Sequence, residues 1–220
     1  MDKKIIVFSG MPASGKDTVT DKLYELNSLY VPLKKYRSVG PEDKIKNTYF
    51  NITKEEFEEK IKIGQFLQYH KRYGRYYGIA EKTLFDLLEK GKTPIIHIGR
   101  IQNYRMFCNN LPIFEKKYDI SVKVVHILLW ETKDVLSKRI VARDKNVQEI
   151  AKRKEAMEQE FNDNILLMQN DEHPYSIIIK NLKPDSTCKI IINYLEKSEN
   201  ITDGYDEFWG YLKYLQERKI

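Results

Sequence analysis

One stretch, Ile5–Leu23 (IIVFSGMPASGKDTVTDKL), constrains the chain more than any other. The apolar run Ile5–Phe8 reads as a buried strand, and a helical pattern opens after Gly15. Between them Gly10, Gly15 and Lys16 complete the spacing G-x-x-x-x-G-K. Two glycines at that distance let the backbone curl until successive N–H groups point inward at a polyphosphate. The helix that follows adds its positive N-terminal end, and Lys16 supplies a mobile charge for β- and γ-phosphates. Asp17 stands where most such loops carry Ser or Thr, and Thr18 follows. Phosphates repel a carboxylate there unless Mg²⁺ or its water shell lies between. Asp17 therefore either works through solvated metal, the preferred reading, or pairs with a nearby cation. Thr18 would donate to an α-phosphate oxygen.

A loop of this kind needs a sheet covered on both faces. Short Val/Ile-rich runs recur at 5–8, 94–98, 122–129 and 175–180, without polar alternation, as strands of a buried parallel sheet do. Helical patterns separate them: Thr18–Leu29, Lys54–Lys62, Ile79–Lys90, Thr132–Arg143 and Asn146–Met168. Thr53 and Glu56 form a capping box ahead of the second. The alternation predicts an α/β fold with crossover helices. Residues 33–78, with tyrosines at 36, 49, 69, 73, 76 and 77, read as a small α/β insert. The segment 198–220 reads as an appended aromatic helix, with Trp209, Tyr211 and Leu212 packing on the body.

The remaining features exclude more than they assign. A formal charge of +6 suits either an anionic partner or solvated lysine-rich helix faces. Cys108 and Cys188 stand far apart, with neither zinc spacing nor a disulfide framework. No run approaches the roughly 18 apolar residues of a membrane helix, and the N-terminal apolar run is too short for a signal peptide. A soluble, cytoplasmic, monomeric or homodimeric protein without membrane partners is expected.

With the loop placed, the chain from about residue 3 to 197 resembles the guanylate kinase family. The stretches that carry the likeness are YFNITKEEFEEKIKIGQFLQYHKRYGRYYGI (49–79), LSKRIVARDKNVQEIAKRKEAM (136–157) and SIIIKNL (176–182). The resemblance implies a P-loop kinase with a parallel sheet core (1–32 and 79–197), an acceptor-binding insert (33–78), a helical lid (about 136–157) and the C-terminal extension. It implies ATP and Mg²⁺ as cofactors and a small phosphorylated acceptor. ATP would be held by Gly10, Ala13, Ser14, Gly15, Lys16, Asp17 and Thr18. Lys16 with Arg139, Arg143 and Arg153 of the lid would neutralise the transferring phosphoryl group. Arg37, Tyr49 and Tyr77 would bind the acceptor phosphate, with Gln68, His97 and Arg100 also at the acceptor. Asp17 and Thr18 would serve the metal, through water.

Departures from the family pattern concentrate on the acceptor. Gln68 falls where the family reads guanine with a glutamate, Ile79 where it has a hydroxyl, and His97-Ile98-Gly99 where it has carboxylates. An amide brings its own donors to an edge of guanine that already donates, and Ile79 leaves a base group unpaired. The stretches GKDT (15–18), YYGI (76–79) and IGR (98–100) resemble the ribose 1,5-bisphosphate phosphokinases, for which Arg100 would bind phosphate. The leading expectation is an ATP-dependent kinase acting on a nucleoside monophosphate or related sugar phosphate. A non-catalytic nucleotide-binding module comes next. A nucleic-acid end kinase comes last, lacking a clustered basic-aromatic run beside the acceptor region.

Overall fold

The computed structural model describes residues 3–41, 43, 45, 47–143, 146–197 and 204–218. Parts of the stretches read above as insert (42, 44 and 46), lid (144–145) and C-terminal extension (198–203 and 219–220) lie outside the described residues, as do 1–2. The elements run β1 (Lys3–Ser9), α1 (Lys16–Leu26), β2 (Tyr30–Pro32), β3 (Lys35–Ser38), β4 (Tyr49–Ile52), α2 (Lys54–Lys62), β5 (Phe66–Arg72) and β6 (Arg75–Ala80). Next come α3 (Glu81–Glu89), β7 (Thr93–His97), α4 (Ile101–Tyr118), β8 (Val122–Trp130), α5 (Lys133–Arg143), α6 (Val147–Gln169), β9 (Ile177–Lys180), α7 (Pro184–Lys197) and α8 (Tyr205–Glu217).

Two sheets result, one of order β2-β7-β1-β8-β9 and one of order β4-β3-β6-β5. In the first, β2 pairs with β7 and β8 with β9, both parallel. Four of its five strands, β1, β7, β8 and β9, fall on the expected Val/Ile runs, and β2 was not expected; Ile5–Phe8, Ile127 and Leu129 have no exposure at all. Burial of both faces is what an unalternating apolar run requires. The chain divides into two compact units. One comprises Met1–Ile5, Leu29–Ile96 and Ile101–Val124; the other comprises Ile6–Ser28, His97–Arg100 and Val125–Ile220.

The first unit holds the four-stranded sheet. Strand β3 pairs parallel with β4 and antiparallel with β6, which pairs antiparallel with β5. One sheet face is closed by α2, whose Phe57 stacks on Phe66 (4.5 Å) and on Tyr76 (5.2 Å). Tyr36, Ile52, Ile61 and Tyr69 complete that cluster. The capping box is present: Thr53 accepts from the Glu56 N–H, and Glu56 accepts from the Thr53 N–H. The second unit holds the glycine loop with α1, and α5 to α8. No helix of the described residues is long and apolar enough to cross a membrane.

Candidate active site

The glycine loop joins β1 to α1. Gly10 has φ +135°, and a Cβ there would lie 2.0 Å from the Leu129 carbonyl oxygen. Gly15 has φ +93°, and its Cβ would lie 2.3 Å from Asn181 Nδ2. Both positions thus demand glycine for conformation and for space. Between them Ala13 is also left-handed (φ 65°), and the Ser14 N–H donates to Met11 O at 3.1 Å, which closes the curl. Lys16 folds back over this curl: its ammonium donates to Gly10 O, to Met11 O at 2.9 Å and to Ser14 Oγ at 3.2 Å. Ser14 is fully buried, whereas Asp17 and Thr18 in the first turn of α1 are exposed.

Asn181, just past β9, braces the loop from outside. Its Nδ2 donates to Ser14 O at 2.7 Å, while Thr187 Oγ1 donates to its Oδ1 at 2.8 Å. Sequence reasoning missed this residue. Its one signal was an amide ending the apolar run IIIKN. Two arginines of α5 converge on the same place. Arg139 donates to Ala13 O and to Asn181 O, both at 3.4 Å. Arg143 lies 3.8 Å from Asp17 Oδ2. Arg153 stands half-buried on α6.

Asp17 has a second neighbour, His97. Its Oδ1 is 3.4 Å from His97 Nδ1, and His97 Nε2 is 2.7 Å from Thr20 Oγ1. A carboxylate only accepts, so the geometry places a proton on Nδ1; Thr20, 2% exposed, closes the far end of the chain. The hydrogen bond from His97 holds the Asp17 carboxyl well below the ordinary carboxylate range. Burial opposes the shift, and the charges of His97, Lys16 and Arg143 reinforce it. Of the two readings the sequence left for Asp17, pairing with nearby groups is thus present in the structure. Arg100 is engaged with α6. Its Nε and Nη2 grip the two oxygens of Asp163 at 2.6 and 2.9 Å, and Nη1 donates to Gln159 Oε1 at 3.2 Å.

The four-stranded sheet gathers a separate set of side chains on the face opposite α2. Register places Arg37 beside Tyr77 and beside Asn51, and Tyr77 beside His70. Alternation puts Tyr49 and Gln68 on that same face. The Arg37 guanidinium lies 5.4 Å from the Tyr49 ring, Tyr49 lies 5.7 Å from Tyr77, and Tyr77 stacks on His70 at 5.6 Å. Gln68 Nε2 is 3.1 Å from His70 Nδ1. Burial, with help from the charges of Lys35 and Arg72, pushes the His70 pKa down to about 3. A neutral His70 therefore accepts the amide N–H on Nδ1. Burial also raises the Tyr77 pKa, which keeps its phenol a donor. Arg37 and Gln68 are nearly buried, at 5% and 1% exposure, so they are held for a purpose other than solvation. Arg37, Tyr49, Gln68 and Tyr77 are thus brought together, with His70 added; His97 and Arg100 belong to the other unit.

The family model described as "Guanylate kinase" matches residues 2–198. Among curated proteins, the guanylate kinase of Clostridium tetani is 38% identical over 43% of this chain and 46% of its own. That of Clostridioides difficile is 34% identical over 43% and 47%. The chain's matches thus span about half the length of these relatives. The guanylate kinase of Fusobacterium nucleatum is 28% identical over 87% of this chain and 95% of its own. Among solved structures, guanylate kinase from Anaplasma phagocytophilum superposes with a TM-score of 0.56 over 91% of this chain and 88% of that one, at 20% identity, which speaks for the fold alone. By its loop, its order of elements and the span of the family match, the chain belongs to the guanylate kinase family.

Proposed function

We propose that the protein is a small-molecule kinase that transfers the γ-phosphoryl group of ATP to a nucleoside monophosphate, with an acceptor face altered from one built for guanine. The observation that carries this reading is the convergence of Lys16, Arg139 and Arg143 on one glycine loop. Phosphoryl transfer asks little covalent chemistry of a protein. It asks for alignment and for positive charge around the equatorial oxygens. The curled amides from Ala13 to Thr18 would grip the β- and γ-phosphates, Lys16 would move from the loop carbonyls onto them, and Arg139, Arg143 and Arg153 would cover the group in flight.

Mg²⁺ fits this donor set in one way. Among the described residues no cluster of three or more His, Cys, Asp or Glu could hold a metal. A lone ionised carboxylate and an exposed hydroxyl, Asp17 and Thr18, suit an ion that arrives with the nucleotide and keeps most of its water. When bound, Mg²⁺ supplies charge neutralisation on the β- and γ-oxygens.

On the acceptor side, Arg37, Tyr49 and Tyr77 would bind phosphate, and Gln68 would meet the remainder of the acceptor. With one amide N–H given to His70, Gln68 offers a carbonyl oxygen and one further N–H. A base edge with two donors, as in guanine, leaves one of these clashing. This supports a second reading, a sugar-phosphate acceptor, for which no base need be read. The Arg100 contribution to that reading is weakened, because its fork is closed on Asp163. A panel assay separates the readings. ATP and Mg²⁺ are offered with GMP, dGMP, AMP, UMP, CMP or ribose 1,5-bisphosphate, and ADP formation is followed. Turnover with a nucleotide supports the first, turnover with the bisphosphate alone supports the second, and turnover with none shifts weight to a non-catalytic nucleotide-binding module or a nucleic-acid end kinase.

A further inference from the structure

We propose that the C-terminal helix α8, acting through the Tyr211 hydroxyl, is a positioning device for α5, the helix that bears Arg139 and Arg143. The inference rests on the phosphoryl-transfer reading for what α5 does, and on geometry alone for what α8 does to it. Residues beyond 198 lie outside the stretch matched by the family model, so α8 is a feature of this chain that the family match leaves unaccounted for.

The first turn of a helix leaves backbone N–H groups without intrahelical partners. At the start of α5, the Thr132 N–H donates to Glu131 Oε1 at 2.8 Å. The Lys133 N–H donates to Tyr211 Oη at 2.8 Å, across 78 residues of sequence. Tyr211 is itself wedged. Its ring stacks on Trp130 at 5.6 Å, where β8 ends, and meets Phe161 of α6 edge-on at 6.0 Å. Phe208 and Leu212, both with no exposure, fasten α8 beneath it. The start of α8 is tied to β9 by the Gly204 N–H on Ile178 O (2.7 Å) and by Lys180 on Glu207 (2.6 Å). Lys133 adds a third tie: its Nζ donates to Glu158 Oε2 at 2.5 Å and lies 5.4 Å from the Phe161 ring. The first residue of α5 is therefore fixed by α6 and α8 together.

Arg139 sits less than two turns further on, about 9 Å along the helix axis at about 1.5 Å per residue. Its contacts to Ala13 O and Asn181 O are both 3.4 Å, at the outer limit of hydrogen bonding. Contacts that long tolerate little displacement of the helix root, and misplacement of a charge-stabilising group by about 1 Å costs rate.

The test compares wild type with Tyr211→Phe, which keeps the ring and removes only the oxygen that accepts from Lys133. Tyr214→Phe, whose ring is 44% exposed, serves as control. For Tyr211→Phe we expect kcat to fall about 3- to 10-fold, the loss of one hydrogen bond's worth of positioning, with KM for ATP within about twofold. Hydrogen exchange at the first-turn amides of α5 should accelerate by a similar factor, with β1 unchanged, and Tyr214→Phe should match wild type in both. A merely structural role would lower thermal stability and leave kcat intact. Unchanged kcat overturns the proposal whatever the α5 exchange shows, as does a kcat loss matched by the control. If wild type turns over no acceptor, the kinase reading fails on its own, and exchange at α5 then decides for or against the brace.

Discussion

The glycine loop and the four-stranded sheet are built by different means. The loop is built from backbone. Gly10 and Gly15 occupy conformations closed to other residues, and Asn181 props Ser14 from outside. The polar and charged groups around it (Lys16, Asp17, His97, Arg139 and Arg143) contact the loop or each other. The sheet is built from side chains, a row of Arg37, Tyr49, Tyr77, His70 and Gln68 on one face. Backbone geometry that serves a polyphosphate admits almost no variation. A side-chain row can change its ligand by a single exchange of carboxylate for amide. On the proposed reading, the loop would serve the reaction and the sheet the acceptor.

Lys16→Ala is the hardest blow to the loop half. Turnover should fall by about 10³-fold or more, the scale of losing a preorganised charge at the transferring group. Steady-state kinetics checks it, and activity within tenfold of wild type would remove the loop from the chemistry. Gly10→Ala should cost folding rather than catalysis alone. A methyl against the Leu129 carbonyl at φ +135° is expected to lower unfolding free energy by about 2–4 kcal/mol, read from denaturant midpoints. On the sheet half, Gln68→Glu should raise kcat/KM for GMP by about 10-fold, since a carboxylate accepts from both donors of the guanine edge. No gain with GMP would turn the comparison toward a sugar phosphate.

The smallest effect concerns Asp17. Its folded-state pKa is depressed, so its pairing stabilises the fold above the ordinary carboxylate value and is lost as pH falls through the folded one. Wild type and Asp17→Asn should therefore differ by a constant amount above about pH 5 and converge below about pH 4. The side chain is 69% exposed, so solvent screening limits the difference to under about 1 kcal/mol. Unfolding curves across that range measure it, and a gap that widens in acid would reverse the assignment.

Much of the fold was legible beforehand. The four Val/Ile runs became β1, β7, β8 and β9 because continuous apolar strands have one use in an α/β sheet. The last begins at Ile177 rather than Tyr175, whose hydroxyl instead donates to Asn164 at 2.8 Å. The first helix starts at Lys16 and stops at Leu26, because Asn27 turns extended. The third starts at Glu81, because Ile79 and Ala80 belong to β6. Helices α4 and α7 went unread; α4 runs unbroken through Pro112, which lacks the N–H a helix interior ordinarily uses. The partners of the expected site residues were invisible for a different reason. His97 meets Thr20 across 77 residues, and Arg100 meets Asp163 across 63. Pairings of that span follow from sheet order and register, which local periodicity does not encode.

Calorimetric titration of ATP with Mg²⁺ into wild type and Lys16→Ala bears on the whole argument. Wild type should show one saturable site, and Lys16→Ala should weaken it by about tenfold or more, as removal of a charged phosphate contact does. Absence of binding to wild type at millimolar nucleotide, or equal binding by both proteins, would contradict a loop that holds triphosphate.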